Sequence, residues 1–304
     1  ALTLSQRGHN VILYERGPEI GGQLNYAKVV PGKEDYYNLL KYWTNRLRES
    51  TVKVKLNTDF THSEVSRGHQ TLHAVVLCTG SIQKPMLSNY IPGASECKIL
   101  VPFGRILDGS VKAGRKVVIL GNGAIAFDVA SYLVHDQRVS RSVEAYCVEW
   151  GLNLANGTID AHAQVDATKN NRDVVLLLKT EKDGDLCRGT GWFQKRWLRN
   201  HGSSVIGSAL VEKIHPDGLQ VSIIQPDNRN FVIPADTIVW ANGMLPHITT
   251  GTWIYEWVRD GALSRGQISQ DFGIYMAGSC RDAYSGDGHG EEDLLQVIHE
   301  GYEI

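Results

Sequence analysis

The sequence predicts an α/β protein built on parallel sheets, and three observations predict it. Continuous apolar runs of strand length recur at 74–78, 117–120, 174–178, 237–240 and 273–278, as expected of strands buried on both faces. Segments with apolar residues at helical spacing alternate with them, which is the pattern of α/β layers. Several runs stop at a glycine, in Cys78-Thr79-Gly80, Leu120-Gly121 and Ala241-Asn242-Gly243, where the backbone can turn or come close to a bound group. With 304 residues, the chain is long enough for more than one core, since domains run to ~100–200 residues, and two domains are expected.

Taken in order, residues 1–9 read as the end of a helix closed at Gly8, followed by a strand from Asn10 to Tyr14. Glycine suits such a helix end because it adopts the left-handed conformation at little cost. The strand leads into Glu15, an acid placed where a ribose hydroxyl is held in nucleotide-binding folds, yet no glycine-rich phosphate loop precedes it. In 34–49, Leu39, Leu40, Trp43 and Leu47 recur at helical spacing, and 52–56 alternates as a half-buried strand does. The stretch 137–172 is polar and weakly periodic, a functional loop or a solvated embellishment. A closing helix is expected from about Glu292.

Composition narrows the function. The chain is 42% hydrophobic and 21% charged, with a formal net charge of -2. That balance gives no electrostatic case for a nucleic-acid or membrane partner. No apolar run approaches the ~20 residues of a membrane span, and residues 1–20 lack the basic start and cleavage site of a signal peptide. Cys78, Cys97, Cys147, Cys187 and Cys280 are irregularly spaced, with no Cys-x-x-Cys pair. Free thiols in a reducing compartment, cytoplasm or mitochondrial matrix, are expected, and no metal site. Asp282, Asp287, His289, Glu291, Glu292 and Asp293 read as an acidic first helical turn rather than as ligands. His62, His69 and His73 flank no nucleophile, and Trp192, Phe193 and Trp197 are expected to pack a helix against a sheet.

The most informative motif is Gly121-Asn122-Gly123-Ala124-Ile125-Ala126, a G-x-G-x-x-A dinucleotide fingerprint with a strand before it and an apolar helix after it. Gly121 would make the tight turn, Gly123 would admit a pyrophosphate, and Ala126 would allow close helix–strand packing. The amides of Ala124 and Ile125 would open the helix toward the phosphates. The next strand ends at Leu178 and is followed by Lys179, Lys182 and Arg188. Basic side chains there accommodate a 2′-phosphate and favour NADPH over NADH. Glu181, Asp183 and Asp185 among them leave the reading of ordinary exposed lysines open.

Several stretches together resemble a known family. They are ERGPEIGGQLNYAK with VPGKEDYY, the strand to CTG, GNGAIAFDVASYL, CVEWGLN, RGTGWFQKRWL and MAGSC. Over essentially its whole length the chain resembles the two-dinucleotide-binding-domain flavoproteins, and more narrowly the C-terminal portion of the iron–sulfur flavoenzymes related to 2,4-dienoyl-CoA reductase. The resemblance implies two nested Rossmann-like domains in three layers, without the N-terminal TIM barrel of the full-length family. Residues 1–107 and 235–304 would form a discontinuous FAD-binding domain and 108–234 an NAD(P)H-binding domain. The chain would be a segment of a longer polypeptide, with that barrel as its partner.

Carried over by position, Glu15, with Arg16 beside it, would hold the adenosine ribose of FAD, and Gly22 and Gln23 would lie beside the cofactor. Phe60 would meet the adenine through its backbone. Thr79 and Gly80 would border FAD, as Ala241, Asn242 and Gly243 would border the nicotinamide passage. In relatives an acid follows the glycine of the last segment closely and binds the ribityl–pyrophosphate linkage of the flavin. Here the order is Gly278-Ser279-Cys280-Arg281-Asp282, so Asp282 would fill that role from a position slightly further along the chain. No catalytic acid or base is expected. The implied activity is the passage of hydride from NADPH to FAD, then of electrons through a [4Fe–4S] cluster and FMN, both in the missing N-terminal portion, to a 2,4-dienoyl-CoA of unsaturated fatty acid β-oxidation. The alternatives are an enoate reductase, amine dehydrogenase or NADH oxidase of the same family, or a non-catalytic nucleotide-binding scaffold.

Overall fold

The computed structural model describes residues 1–61, 72–85, 91–135, 142–149, 152–153, 155–159, 172–179, 191–223, 229–247, 253–254, 256–258, 262 and 268–279. In chain order the elements are α1 (Leu2–Gln6), β1 (Ile12–Tyr14), α2 (Leu24–Ala27), α3 (Asp35–Arg48), β2 (Lys53–Lys55), β3 (Leu72–Leu77), β4 (Ser81–Gln83) and β5 (Leu100–Pro102). Then come α4 (Phe103–Leu107), β6 (Lys116–Leu120), α5 (Ala124–Val134), α6 (Val143–Glu149), β7 (Leu152–Asn153), β8 (Thr158–Ile159), β9 (Asp173–Leu177) and α7 (Gly191–Asn200). The rest are β10 (Ser204–Ile206), β11 (Ala209–His215), β12 (Gly218–Ile223), β13 (Arg229–Pro234), β14 (Thr237–Trp240), β15 (Met244–Pro246) and β16 (Ile268–Met276).

The chain forms two compact units that interleave along the sequence. Unit 1 comprises 1–22, 38–82 and 244–304, and unit 2 comprises 23–37 and 83–243. Residues 23–37, 83–107 and 235–243, allotted from sequence to the first domain, fall in unit 2. For the last two stretches the cause is β14, which hydrogen-bonds to β6 on one side and β5 on the other.

Unit 2 is built on a five-stranded parallel sheet in the order β10-β9-β6-β14-β5. Its central strands are the continuous apolar runs, and Val117, Val118, Ile119, Ile238 and Val239 are almost wholly buried. Alternation sends Val118, Leu120, Leu177 and Ile238 to one face. There they meet Ala209, Ile214, Leu219 and Ile233 of an antiparallel three-stranded sheet, β11-β12-β13. Val117 and Ile119 therefore point to the opposite face. The buried stripe of α5, Ala126, Phe127, Val129, Ala130 and Leu133, contacts β6 and β9. Helix, parallel sheet and antiparallel sheet make three layers. The expected polar excursion at 137–172 carries regular structure in its described portion, α6 and the β7–β8 hairpin.

In unit 1, β1 pairs parallel with β2 and β3 pairs parallel with β16. Trp257 and Ala262 form a small core with Phe60, Leu72, Trp253, Val258 and Phe272 around it. Gly8, at φ +89°, turns the chain after α1 as the sequence suggests. The closing helix expected from Glu292 lies outside the described residues. No described helix is long and apolar enough to cross a membrane.

Candidate functional site

The fingerprint forms the turn from β6 into α5. A side chain at Gly121 would collide with the Ala241 carbonyl oxygen and would lie 3.0 Å from the Ala126 Cβ, so sheet and helix close tightly only without one. Gly123 is the opposite case. It is the helix N-cap, in extended conformation, and no atom lies within 4 Å of where its Cβ would stand. Ala124 is exposed and Ile125 half-buried at the helix opening. Open space at Gly123, the amides of a helix end and no acidic side chain in the first turn of α5 make a cradle that fits a dinucleotide pyrophosphate.

Either side of the cradle follows from topology. Because β6, β9 and β14 are parallel, residues just beyond Leu120, Leu177 and Trp240 share the carboxyl edge of the sheet, where open α/β sheets bind ligands. On the β14 side a cavity of about 280 Å³ is lined by Gln83, Lys84, Pro85, Leu100, Val101, Pro102 and Trp240. Its wall is pinned by hydrogen bonds from Trp240 Nε1 to the Lys84 carbonyl, 3.1 Å, and from Gln83 Nε2 to the Trp240 carbonyl, 2.9 Å. Next to it run buried Ala241, exposed Asn242 and half-buried Gly243. On the β9 side Lys179 is exposed one residue past Leu178. Lys182 and Arg188 lie outside the described residues.

Gly80 and Gly243 play matching roles after the two similar strands. Both are left-handed, at φ +63° and +86°, a conformation that favours glycine. Each carbonyl accepts from a residue of the other segment, Gly80 from the His247 amide at 2.8 Å and Gly243 from the Lys84 amide at 3.0 Å.

Unit 1 carries the other candidate residues. Glu15 follows β1 directly and its Oε1 accepts the Gly17 amide at 2.7 Å, which fixes the carboxylate at the strand end. Its carbonyl accepts the Thr58 amide, and the neighbouring Tyr14 ring lies 4.9 Å from that of Phe60. Phe60 also meets Trp253 at 5.4 Å, so its side chain belongs to the small core. Arg16 is exposed and Gly22 has open space around its Cβ position. The β3–β16 pairing brings Thr79, Gly80 and Gly278 together. Ser279 Oγ lies 2.7 Å from Ser81 Oγ, and Thr79 Oγ1 donates to the His247 carbonyl at 2.7 Å. Gln23, the N-cap of α2, is clustered with unit 2. Asp282 is outside the described residues.

Two features differ from the sequence expectation or escape it. Trp192 and Phe193, expected to pack a helix against a sheet, are 62% and 38% exposed. At ~100° per residue they stand about 120° and 140° from Leu198, the buried side chain of that helix. The missed feature is a two-pronged ion pair. Lys33 Nζ reaches Asp128 Oδ1 at 2.8 Å and Oδ2 at 2.6 Å. Asp128 stands on α5, and burial pushes its carboxyl above the ordinary range while Lys33 pulls it back. The signal in the sequence was a single acid in the otherwise apolar stretch FDVASYL. Among the described residues no cluster suits a metal ion, and Cys78, Cys97 and Cys147 form no disulfide.

Comparison with known proteins gives these features a family. Residues 1–300 match the family described as pyridine nucleotide-disulphide oxidoreductase. A metal reductase of Desulforamulus reducens is 24% identical over 242 residues, covering 78% of this chain and 34% of that protein. An NADH oxidase of Thermoanaerobacter brockii is 30% identical over 245 residues, 74% of this chain and 35% of that one. The chain thus spans about a third of the length of these relatives. Among solved structures, a 2-naphthoyl-CoA reductase in complex with 2-naphthoyl-CoA has a TM-score of 0.69 at 22% identity, over 100% of this chain and 37% of that one. Thioredoxin reductase of T. acidophilum has a TM-score of 0.58 at 13% identity, over 99% and 90%. These likenesses show the fold. With nearly every residue matched and a fingerprint whose glycines fit a dinucleotide, the chain belongs to the pyridine nucleotide-disulphide oxidoreductase family, whose members bind FAD and NAD(P).

Proposed function

We propose that this chain is the FAD- and NADPH-binding portion of a longer flavoenzyme of the 2,4-dienoyl-CoA reductase type, where reducing equivalents from NADPH enter. The observation that carries the nucleotide reading is the fingerprint turn, closed at Gly121 and open at Gly123. When bound, NADPH and FAD supply the hydride donor and acceptor, C4 of the nicotinamide and N5 of the flavin. The chain's residues hold and orient. Gly123 and the first amides of α5 cradle the NADPH pyrophosphate, and Lys179, with Lys182 and Arg188, meets the 2′-phosphate. The cavity beside Trp240 takes the nicotinamide end. Glu15 accepts from the FAD ribose, while Thr79, Gly80 and Gly278 border the flavin side and Asp282 its phosphate linkage.

The dienoyl-CoA assignment rests on the sequence resemblance, with CVEWGLN and RGTGWFQKRWL its most specific stretches. It agrees in kind with relatives that include a 2-naphthoyl-CoA reductase. In that reading electrons go on through a [4Fe–4S] cluster and FMN held by an N-terminal barrel. An amine dehydrogenase, which draws electrons from its own substrate, has no need of the open pyrophosphate cradle. The NADH oxidase relative keeps a second reading in view, the same hydride step with NADH as donor.

The test is anaerobic bleaching of the flavin in the full-length protein by NADPH and by NADH, followed by reoxidation with a 2,4-dienoyl-CoA. Faster bleaching by NADPH and reoxidation by the dienoyl thioester are expected. Preference for NADH overturns the nucleotide assignment, failure of the thioester overturns the substrate, and no bleaching by either nucleotide overturns the reading altogether.

A further inference from the structure

We infer that Lys33 is a determinant of dinucleotide binding that acts through Asp128: its ammonium cancels the carboxylate that the fingerprint helix turns toward its own phosphate cradle. The inference rests on the nucleotide reading above and adds a residue that lies far from the fingerprint in sequence.

The place of Asp128 on α5 is the first argument. It is the only acid between Ala124 and Val134. It stands four residues after Ala124, so at ~100° per residue the two share one side of the helix. That side is the open one, since Ala124 is exposed and Asp128 partly buried, while Ala126, Phe127, Val129 and Ala130 are buried. Cα–Cβ bonds tilt toward a helix N-terminus, so the carboxylate leans back over the first turn. From Gly123 to Asp128 the helix rises only about 7.5 Å. At an effective dielectric constant of about 20, an uncancelled carboxylate that close to a phosphate charge opposes binding about tenfold or more.

The second argument is how Lys33 is delivered. It belongs to the segment 23–37, which clusters with unit 2. Val30 is buried, the Tyr26 ring meets that of Phe103 on α4 at 6.0 Å, and a side chain at Gly104 would lie 3.3 Å from Tyr26. The Val30 carbonyl accepts the Lys33 amide at 3.0 Å, and the Lys33 carbonyl accepts the Tyr36 amide at 3.1 Å. Packing and turns thus fix the backbone at Lys33, and its Nζ bonds both oxygens of Asp128.

The third argument is that stability does not account for the pair. Desolvation offsets much of the attraction in a buried ion pair, and apolar residues of similar volume often serve a fold as well. A pair has one property that they lack. Phosphates at the helix end attract the same ammonium, so nucleotide binding and the docking of 23–37 on α5 strengthen each other.

The experiment uses the full-length protein at mildly alkaline pH, to ionise Asp128, and below the unfolding transition of every variant. Calorimetry measures the Kd of NADP+ and of NAD+ for wild type, Lys33→Met, Lys33→Arg, Asp128→Asn and the double variant Lys33→Met/Asp128→Asn. Lys33→Met is expected to raise the Kd about tenfold for both nucleotides, because both carry the pyrophosphate. Lys33→Arg should recover most of the loss, as should the double variant, which removes the uncancelled charge without restoring the cation. Asp128→Asn alone should bind at least as tightly as wild type. An unchanged Kd in Lys33→Met, a loss shared alike by Lys33→Met and Asp128→Asn, a double variant no better than Lys33→Met, or a loss confined to NADP+ overturns the inference while leaving the nucleotide reading intact. Failure of the wild type to bind either nucleotide overturns both.

Discussion

Removing either partner of the Lys33–Asp128 pair should destabilise unit 2 unequally, and the inequality can be worked from exposure. The Asp128 side chain is only 18% exposed and that of Lys33 is 37%. Exposed ion pairs contribute about 0–1 kcal/mol, whereas removing one partner of a buried pair costs about 3–5 kcal/mol because a charge is left without compensation. Lys33→Met leaves the carboxylate enclosed, so its cost should fall between these limits, about 2 kcal/mol. Asp128→Asn leaves an ammonium that can turn to water, with a cost of about 0.5–1 kcal/mol. Thermal unfolding of the full-length protein at neutral pH should then show Lys33→Met melting about 4–8 °C lower and Asp128→Asn about 1–4 °C lower.

The pH dependence supplies an independent sign. Burial holds the Asp128 carboxyl above its ordinary value of 3.8, so over that interval the folded chain binds more of this proton than the unfolded chain does. Its contribution to stability is complete below pH 3.8 and is lost as pH rises through the folded value. The stability of wild type relative to Asp128→Asn should therefore decline across the interval just above pH 3.8 and then level off. In Lys33→Met, without the opposing cation, the decline should extend to higher pH. Equal costs for the two substitutions, or an advantage of wild type that grows with pH there, would refute the reasoning.

Gly121→Ala and Gly123→Ala should separate fold from binding. The first meets the Ala241 carbonyl oxygen and should lower stability by about 1–3 kcal/mol in urea unfolding. The second has space for its methyl group and should leave the unfolding midpoint nearly unchanged while weakening binding of NADPH about tenfold or more by calorimetry. Gly80→Ala forces a side chain into a left-handed turn and should cost about 1–2 kcal/mol by the same unfolding measurement. If Lys179 meets a 2′-phosphate as proposed, Lys179→Glu should lower the NADPH:NADH ratio of kcat/KM at least fivefold.

The regions of the fold legible in the sequence are those where one local rule dominates. β6 and β14 are buried on both faces, so 117–120 and 237–240 appear as unbroken apolar runs. Gly80 and Gly243 are legible because a left-handed turn after a strand admits few other residues. The β11–β12–β13 sheet went unread although Pro216-Asp217-Gly218 is a turn signal between two short alternating stretches. Trp192 misled because an aromatic side chain in a helix suggests core, whereas its position around the helix relative to Leu198 decides. The Lys33–Asp128 pair is beyond local reasoning, since its partners are 95 positions apart and only packing brings them together.

The interleaving of the two units also bears on how the chain comes to be folded. β3 must find β16 across roughly two hundred intervening residues, a slow search for an open chain. The parallel sheet of unit 2 has a shorter search, its longest step being the roughly 135 residues between β5 and β14. Once that sheet forms, the Lys84 amide is bonded to the Gly243 carbonyl, and the excursion between β3 and β16 shrinks to roughly forty residues of effective contour. Unit 2 is in this sense a clasp that shortens the search for unit 1, and a defect in β14 would delay the pairing of β3 with β16.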